Sequence, residues 1–348
     1  MSDLGADPAI VGPYLARVLN DPAWTSASVA LIAGGKSNLT YRVDSPAGSL
    51  VLRRPPLGQI LPTAHDMGRE YRVMSGLGST DVPVPRMLHF CTDVEVLGQP
   101  FYVMERVEGH IVTTALPDGY AQTPDERRVL SNGLVDVLAR LHSVDYVAAG
   151  LGEFGRPDGY LSRQVARWSK QWDATRLEGL EVVDALAASL TAQLPSTQRN
   201  TVVHGDYRLD NTMLHPTEVG RINAVLDWEM STLGDPLADL GILLVYWAQE
   251  SDPDLRKQGA PVGAVTSLPG FLTRDEVAQG YAERTGLSVD ELPWYVAFGF
   301  FKLAVVCAGI AMRVKFGAMV GEGFDGFEDR VAPLIELGQA TLTDRQLY

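Results

Sequence analysis

The chain has 348 residues, 46% hydrophobic and 21% charged, which is enough apolar material for a large core and, at this length, for two lobes rather than one. Its formal net charge is −14 and no basic tract, zinc-finger spacing or RNA-binding signature is present, a balance that repels nucleic acid and anionic membrane surfaces. The two cysteines, Cys91 and Cys307, make no disulfide framework and suit a reducing cytosol, and the acidic start Met-Ser-Asp-Leu-Gly-Ala-Asp lacks the apolar stretch of a signal peptide, so a cytoplasmic location is expected.

Pro13 to Leu19 predicts a short leading helix, followed by strands over Ser28 to Ile32, Asn38 to Val43 and Ser49 to Arg54. Between the first two strands lies Ala-Gly-Gly-Lys-Ser-Asn, with Gly34, Gly35, Ser37 and Asn38. This is either a plain hairpin turn or a loop that brings backbone N–H groups close to phosphate oxygens, since glycine has no Cβ in the way. On the third strand, alternation puts Val51 and Arg53 on one face and Leu52 and Arg54 on the other. Ala64 to Leu77 is helical, ended by Gly76 and Gly78, and carries Glu70. Val82-Pro83-Val84-Pro85 then leads into strands over Arg86 to Cys91 and Phe101 to Val107. Five antiparallel strands and one main helix make a small lobe, with a boundary near Val107 that divides the chain into 1–107 and 108–348.

Beyond Val107 the pattern turns helical. Asp125 to Asp145 carries Leu130, Leu134, Leu138 and Leu141 at helical spacing, opened by Pro124 and closed by His142 as a capping or core histidine. Tyr160 to Thr175 and Val182 to Leu194 are two more helices. On the first of them Arg163, Arg167 and Lys170 share a face, as a solvated stripe or as an attractor of anions. Asp235 before Pro236 caps an apolar helix running to Trp247, and Asp235 and Asp239 read as structural. Glu250 to Gly270 is polar with Pro and Gly, a substrate lid or a surface loop. Helices over Thr273 to Arg284, Asp290 to Phe316 and Phe327 to Thr341 follow. Within them Trp294 to Met312 is apolar except for Lys302 and approaches the length of a membrane span. A charge near its middle, with Gly299 and Gly309, favours a buried core helix and no membrane partner.

The stretch with most chemical content is 203–211, Val-His-Gly-Asp-Tyr-Arg-Leu-Asp-Asn, which reads H-G-D-x-x-x-x-N and is followed by Asp227 after a short apolar strand. The step from Asp206 to Asn211 has the length found in the protein-kinase pattern H-R-D-x-x-x-x-N. A phosphoryl group moving to a hydroxyl calls for this grouping: one carboxylate to accept the attacking O–H, and an amide oxygen and a second carboxylate as hard ligands for Mg²⁺.

On these residues the chain resembles the aminoglycoside phosphotransferase and choline kinase family of kinase-like enzymes, along nearly its whole length. The resemblance implies an α+β, protein-kinase-like two-lobe fold, with a small antiparallel-sheet lobe and a mostly helical second lobe. It implies a Mg²⁺- and ATP-dependent phosphotransferase acting on a hydroxyl of a small molecule. Asp206 is then catalytic and Asn211 and Asp227 hold Mg²⁺. Arg53 takes the place of the usual strand lysine on the phosphates, Glu70 orients it, Gly34, Gly35, Ser37 and Asn38 form the phosphate flap, and the hinge with Glu105 and Val107 meets adenine. Two features depart from the kinase pattern: the flap is not G-x-G-x-x-G, and the strand cation is an arginine.

The acceptor is read from finer similarity. Leu52-Arg53-Arg54-Pro55-Pro56, Phe101 to Glu105 and Arg163 to Trp172 are similar to the kinase-like domains fused to certain acyl-CoA dehydrogenases, which implies a hydroxyacyl-CoA-like acceptor. An aminoglycoside or other antibiotic kinase, compatible with the acidic charge, and a nucleotide-binding pseudokinase, compatible with the missing lysine, are the alternatives.

Overall fold

The computed structural model describes residues 5–32, 38–56, 66–259, 265–316 and 326–348. The chain forms two compact units, the first from Met1–Gly109 with Tyr146–Phe154 and Asn223–Ser231, the second from His110–Asp145, Gly155–Ile222 and Thr232–Tyr348.

The first unit is built on a five-stranded antiparallel sheet in the order β1-β2-β3-β5-β4, with β1 Ser28–Leu31, β2 Leu39–Ser45, β3 Gly48–Arg54, β4 Met87–Cys91 and β5 Phe101–Glu105. One face carries Tyr41, Val43, Leu50, Leu52, Phe101 and Val103, packed with Leu15 and Trp24. Leu15 belongs to α1 (Pro8–Val18), which starts earlier than the sequence suggests because Asp7 caps it, accepting from Ala9 N at 2.8 Å, with Pro8 at the first turn. The opposite face presents Val51, Arg53, Tyr102 and Met104. On that side lies α2 (Met67–Leu77), capped by Asp66, with Glu70, Val73, Met74 and Leu77 buried. A four-residue helix α3 (Val94–Leu97) joins β4 to β5.

The second unit is mostly helical. Its helices are α4 (Pro124–His142), α5 (Tyr160–Ala174), α6 (Val182–Ala192), α7 (Leu237–Tyr246), α8 (Asp254–Gly259), α9 (Arg274–Thr285), α10 (Leu292–Lys315) and α11 (Val331–Asp344). Short strands punctuate it: β6 (Thr201–Val203) pairs antiparallel with β9 (Thr232–Gly234), and β7 (Thr212–Leu214) is tied to His110 by a single bridge; β8 (Ile222–Val225) starts here with Ile222 and continues in the first unit. Glu250 to Gly270 is not a uniform loop. It contains α8 and a 3-10 turn over Val265–Ser267, while 260–264 lie outside the described residues.

α10 is long and apolar enough to cross a membrane, yet 78% of its most apolar window is buried within the protein. Gly299 serves that burial. A Cβ there would sit 2.8 Å from Val245 of α7, and one at Gly241 of α7 would sit 2.6 Å from the Tyr295 carbonyl oxygen. The two helices approach too closely for side chains at these points, which outweighs the propensity cost of glycine.

Candidate active site

In the second unit, β6 is buried at all three residues and delivers the chain to Gly205, whose φ of +85° calls for glycine. Asp239, on α7 and fully buried, holds this turn from beneath. Its Oδ2 accepts from His204 N at 2.6 Å and its Oδ1 from Gly205 N at 2.7 Å. His142 Nε2 lies 3.2 Å from Oδ2, and its Nδ1 is 2.7 Å from the Tyr281 hydroxyl. Burial alone would raise the Asp239 carboxyl, but His142 and these donors hold it below the usual carboxylate range. His142 is thus a core histidine that braces a brace.

Asp206 follows on this platform. Asn211 Nδ2 donates to its backbone O at 2.8 Å and to its Oδ2 at 3.0 Å, and Arg208 Nε reaches the same Oδ2 at 3.2 Å. Both side-chain bonds fall on Oδ2, so Oδ1 is the oxygen left to accept a proton from an incoming group. The Asn211 amide nitrogen is spent on Asp206, so the oxygen is the atom of that amide available to a ligand. Arg208 also pairs with Asp210 at 2.9 Å and lies 4.6 Å over the Tyr246 ring. Beside Arg208 and Asp210 opens a small pocket lined by Val112, Leu209, Leu243, Trp247 and Val265 together with Thr113, Tyr246 and Thr266.

In the first unit a second cluster forms around Arg53. Its Nη2 donates to Asp227 Oδ1 at 2.9 Å and its Nε stands 3.5 Å from Glu70 Oε2. Glu70 is 1% exposed; its other contacts are the Tyr102 hydroxyl at 2.9 Å and Asn38 Nδ2 at 3.1 Å. Burial would lower the Arg53 pKa, but Tyr102, Glu70 and Asp227 hold it above its ordinary value, so the guanidinium stays charged. Asp227 adopts φ +64°, a left-handed conformation rare for a non-glycine residue. The turn that forces it is pinned on both sides. Trp228 Nε1 donates to Val225 O at 3.0 Å, and the Arg69 guanidinium, stacked 4.1 Å over Phe154, donates to Ser231 O at 3.0 Å. The Asp227 side chain keeps 35% exposure.

Arg54 takes the other face, as alternation requires: it is buried and donates to the carbonyls of Gly5 and Pro55. Asn38 points inward at Glu70, with its own oxygen unpartnered. Glu105 ends β5 with its backbone N–H already given to Arg86 O at 2.9 Å, and Val107 follows two residues on. Gly34, Gly35 and Ser37 lie outside the described residues. Sequence reasoning singled out neither Tyr102, which lies within a predicted strand, nor any role for Lys302 beyond its charge, although it donates to Gly205 O.

Burial pushes the Glu70 carboxyl from 4.5 up to about 7, against the pull of Arg53 and Tyr102. A folded value above the unfolded one means the native state binds the extra proton, so this group's contribution to stability falls as pH rises between 4.5 and about 7. Glu70→Gln keeps acceptor and shape but does not titrate. The free energy of unfolding from about pH 5 to about pH 8 is therefore expected to fall more in the wild type than in the variant, by a difference on the order of 1–3 kcal/mol, read from denaturant titrations at each pH. Parallel curves would show that Glu70 stays ionised throughout.

The model of the phosphotransferase enzyme family matches residues 28–262. The chain is 40% identical over 285 residues to acyl-CoA dehydrogenase family member 10 of Mus musculus, covering 81% of this chain and 26% of that protein. It is 36% identical over 335 residues to family member 11 of Gallus gallus, covering 93% and 42%. The chain therefore spans roughly a quarter to two fifths of the length of these relatives. Among solved structures it superposes with TM-score 0.82 at 34% identity on a Ralstonia eutropha protein provisionally named an aminoglycoside phosphotransferase, covering 97% of this chain and 98% of that one. A Cryptosporidium parvum choline kinase, at 12% identity, TM-score 0.65 and 98% coverage of both chains, shares the fold.

Proposed function

The chain belongs to the phosphotransferase enzyme family and is an ATP-dependent phosphotransferase of the aminoglycoside phosphotransferase and choline kinase type; from that premise we propose that its acceptor is the hydroxyl of an acyl chain carried on an anionic group, as in a hydroxyacyl-CoA. The observation that carries the acceptor is the pocket beside the catalytic loop. Its lining sets Val112, Leu209, Leu243, Trp247 and Val265 beside Thr113, Tyr246 and Thr266, and Asp210, the one carboxylate in that lining, is paired with Arg208. Apolar walls suit an acyl chain. A polycationic aminoglycoside needs several open carboxylates, which this lining does not offer.

In this reading Asp206 Oδ1 accepts the hydroxyl proton and aims the oxygen, while Arg53 steadies the phosphates with a fork that Glu70 and Asp227 hold in place. The donor set suits Mg²⁺: the Asn211 amide oxygen and the partly exposed Asp227 carboxylate are hard ligands. Among the described residues no three His, Cys, Asp or Glu side chains form a metal cluster; Asn211 and Asp227 would hold the ion together with groups from outside the protein. Bound there, the ion neutralises phosphate charge. The test is ATP consumption against hydroxyacyl-CoAs, choline-like alcohols, macrolides and aminoglycosides. Turnover with the hydroxyacyl-CoAs and a product phosphorylated on the acyl hydroxyl are expected; turnover confined to polycations would overturn the acceptor.

The anionic end has its own test. Arg163 is tied to the carbonyls of Asp158 and Arg156, so its charge serves the loop before α5. Arg167 and Lys170 are exposed on the same helix, and the Arg167 charge acts on Lys302 beneath the catalytic loop. Arg167→Glu is expected to raise acceptor KM roughly tenfold, leave ATP KM unchanged and reduce the salt dependence of acceptor binding. Equal acceptor KM in both proteins at low and high salt would return the stripe to solvent.

A further inference from the structure

Lys302 stands in the middle of α10 with only 8% of its surface exposed. Helix α10 needs no charge there, since its neighbours on the helix are apolar and buried. The ammonium donates to Gly205 O and lies 5.5 Å over the Trp168 ring. A buried ammonium with a carbonyl and a ring for company gains little or nothing over a packed apolar side chain of the same length. Stability therefore does not account for it.

Its place does. The Gly205 N–H is fixed by Asp239 at 2.7 Å, and the Gly205 C=O, which is the peptide group leading directly into Asp206, is fixed by Lys302. The glycine has no side chain to hold its left-handed turn, so the two peptide groups around it are free to rotate unless both are tied. We infer that Lys302 is a positioning residue, which locks the peptide between Gly205 and Asp206 and so sets the direction in which the Asp206 carboxylate points. The inference rests on the proposed phosphotransfer by Asp206. Asp206, Asp239, Arg167 and Arg208 are the charged groups that act on the ammonium; burial lowers its pKa and the two carboxylates oppose that.

The experiment compares wild type with Lys302→Met, which fills the space without donating, and with Lys302→Arg, which keeps a donor. Three quantities are read: kcat and both KM values, the melting temperature, and amide hydrogen exchange of the segment 203–211. Lys302→Met is expected to lower kcat roughly 10- to 100-fold, leave both KM values within about twofold, melt at or above the wild-type temperature, and exchange faster in that segment. Lys302→Arg is expected to recover part of kcat and of the protection. Wild-type kcat together with wild-type exchange in Lys302→Met would overturn the inference. Loss of a cooperative melt in both variants would overturn it too, marking the lysine as part of the core alone. If the wild type turned over no acceptor, the proposed function would fall, while exchange at 203–211 would still decide whether Lys302 holds the turn.

Discussion

Asp206→Asn is expected to lower kcat by roughly 10²- to 10⁴-fold, the span over which a positioned acid or base contributes, with Mg·ATP affinity changed only a few-fold. The substitution is close to isosteric, and the oxygen that accepts from Asn211 and Arg208 can be kept by the amide. Arg208 retains Asp210 at 2.9 Å, so no guanidinium is stranded. The backbone clamp from Asp239 to His204 and Gly205 involves no Asp206 atom. What disappears is the anionic oxygen that takes the hydroxyl proton. Steady-state kinetics at saturating acceptor, with nucleotide binding by calorimetry, checks this. A variant that kept wild-type kcat would remove Asp206 from the chemistry and favour a nucleotide-binding protein that has lost its reaction.

What the sequence showed of this site follows from the range of the interactions involved. The spacing of Asp206 and Asn211 is local, and the structure closes it with a 3.0 Å bond. The faces of Arg53 and Arg54 follow from strand alternation, and they are found on opposite sides of the sheet. Glu70 was harder. An acidic residue on a polar helix reads as solvated, and its burial depends on Asn38, Arg53 and Tyr102, which come from three separate strands or turns. No periodicity encodes that meeting. The Asp239 clamp is equally invisible, because its partners lie 34 and 35 positions away in sequence. The inclusion of Tyr146–Phe154 and Asn223–Ser231 in the first unit is likewise a matter of long-range packing. α8 escaped notice because the six residues Asp254–Gly259 are too few for a helical period to stand out. Lys302 was legible as an anomaly, a single charge in an apolar helix. From the sequence alone it favoured a core helix over a membrane span but could not point to the carbonyl it serves.

Arg53→Ala is expected to raise ATP KM by roughly 10- to 100-fold, the loss that follows when charge-assisted hydrogen bonds worth about 1.5–3 kcal/mol are removed, whereas Arg54→Ala should leave ATP KM nearly unchanged and lower the melting temperature. The register sets the contrast. Arg53 pairs with Thr40 and Tyr102 across the sheet and shares its face with Glu70 and Asp227. Arg54 spends its donors on Gly5 and Pro55 carbonyls within the protein. Removing Arg53 does more than delete a cation: it leaves Glu70, already pushed up to about 7, without its guanidinium and frees Asp227 from its 2.9 Å bond. Arg53→Lys should fall between the wild type and alanine. A lysine restores a point charge but has no planar fork with which to touch Glu70 and Asp227 at once and still reach a phosphate. That ranking would make the arginine a replacement for the usual strand lysine, in a site shaped for a fork with a carboxylate at each of two guanidinium nitrogens. Measured ATP KM values for the three variants test the ranking. A larger effect at Arg54 than at Arg53 would mean that the strand is displaced by one residue in solution, since a single-residue slip exchanges the two faces.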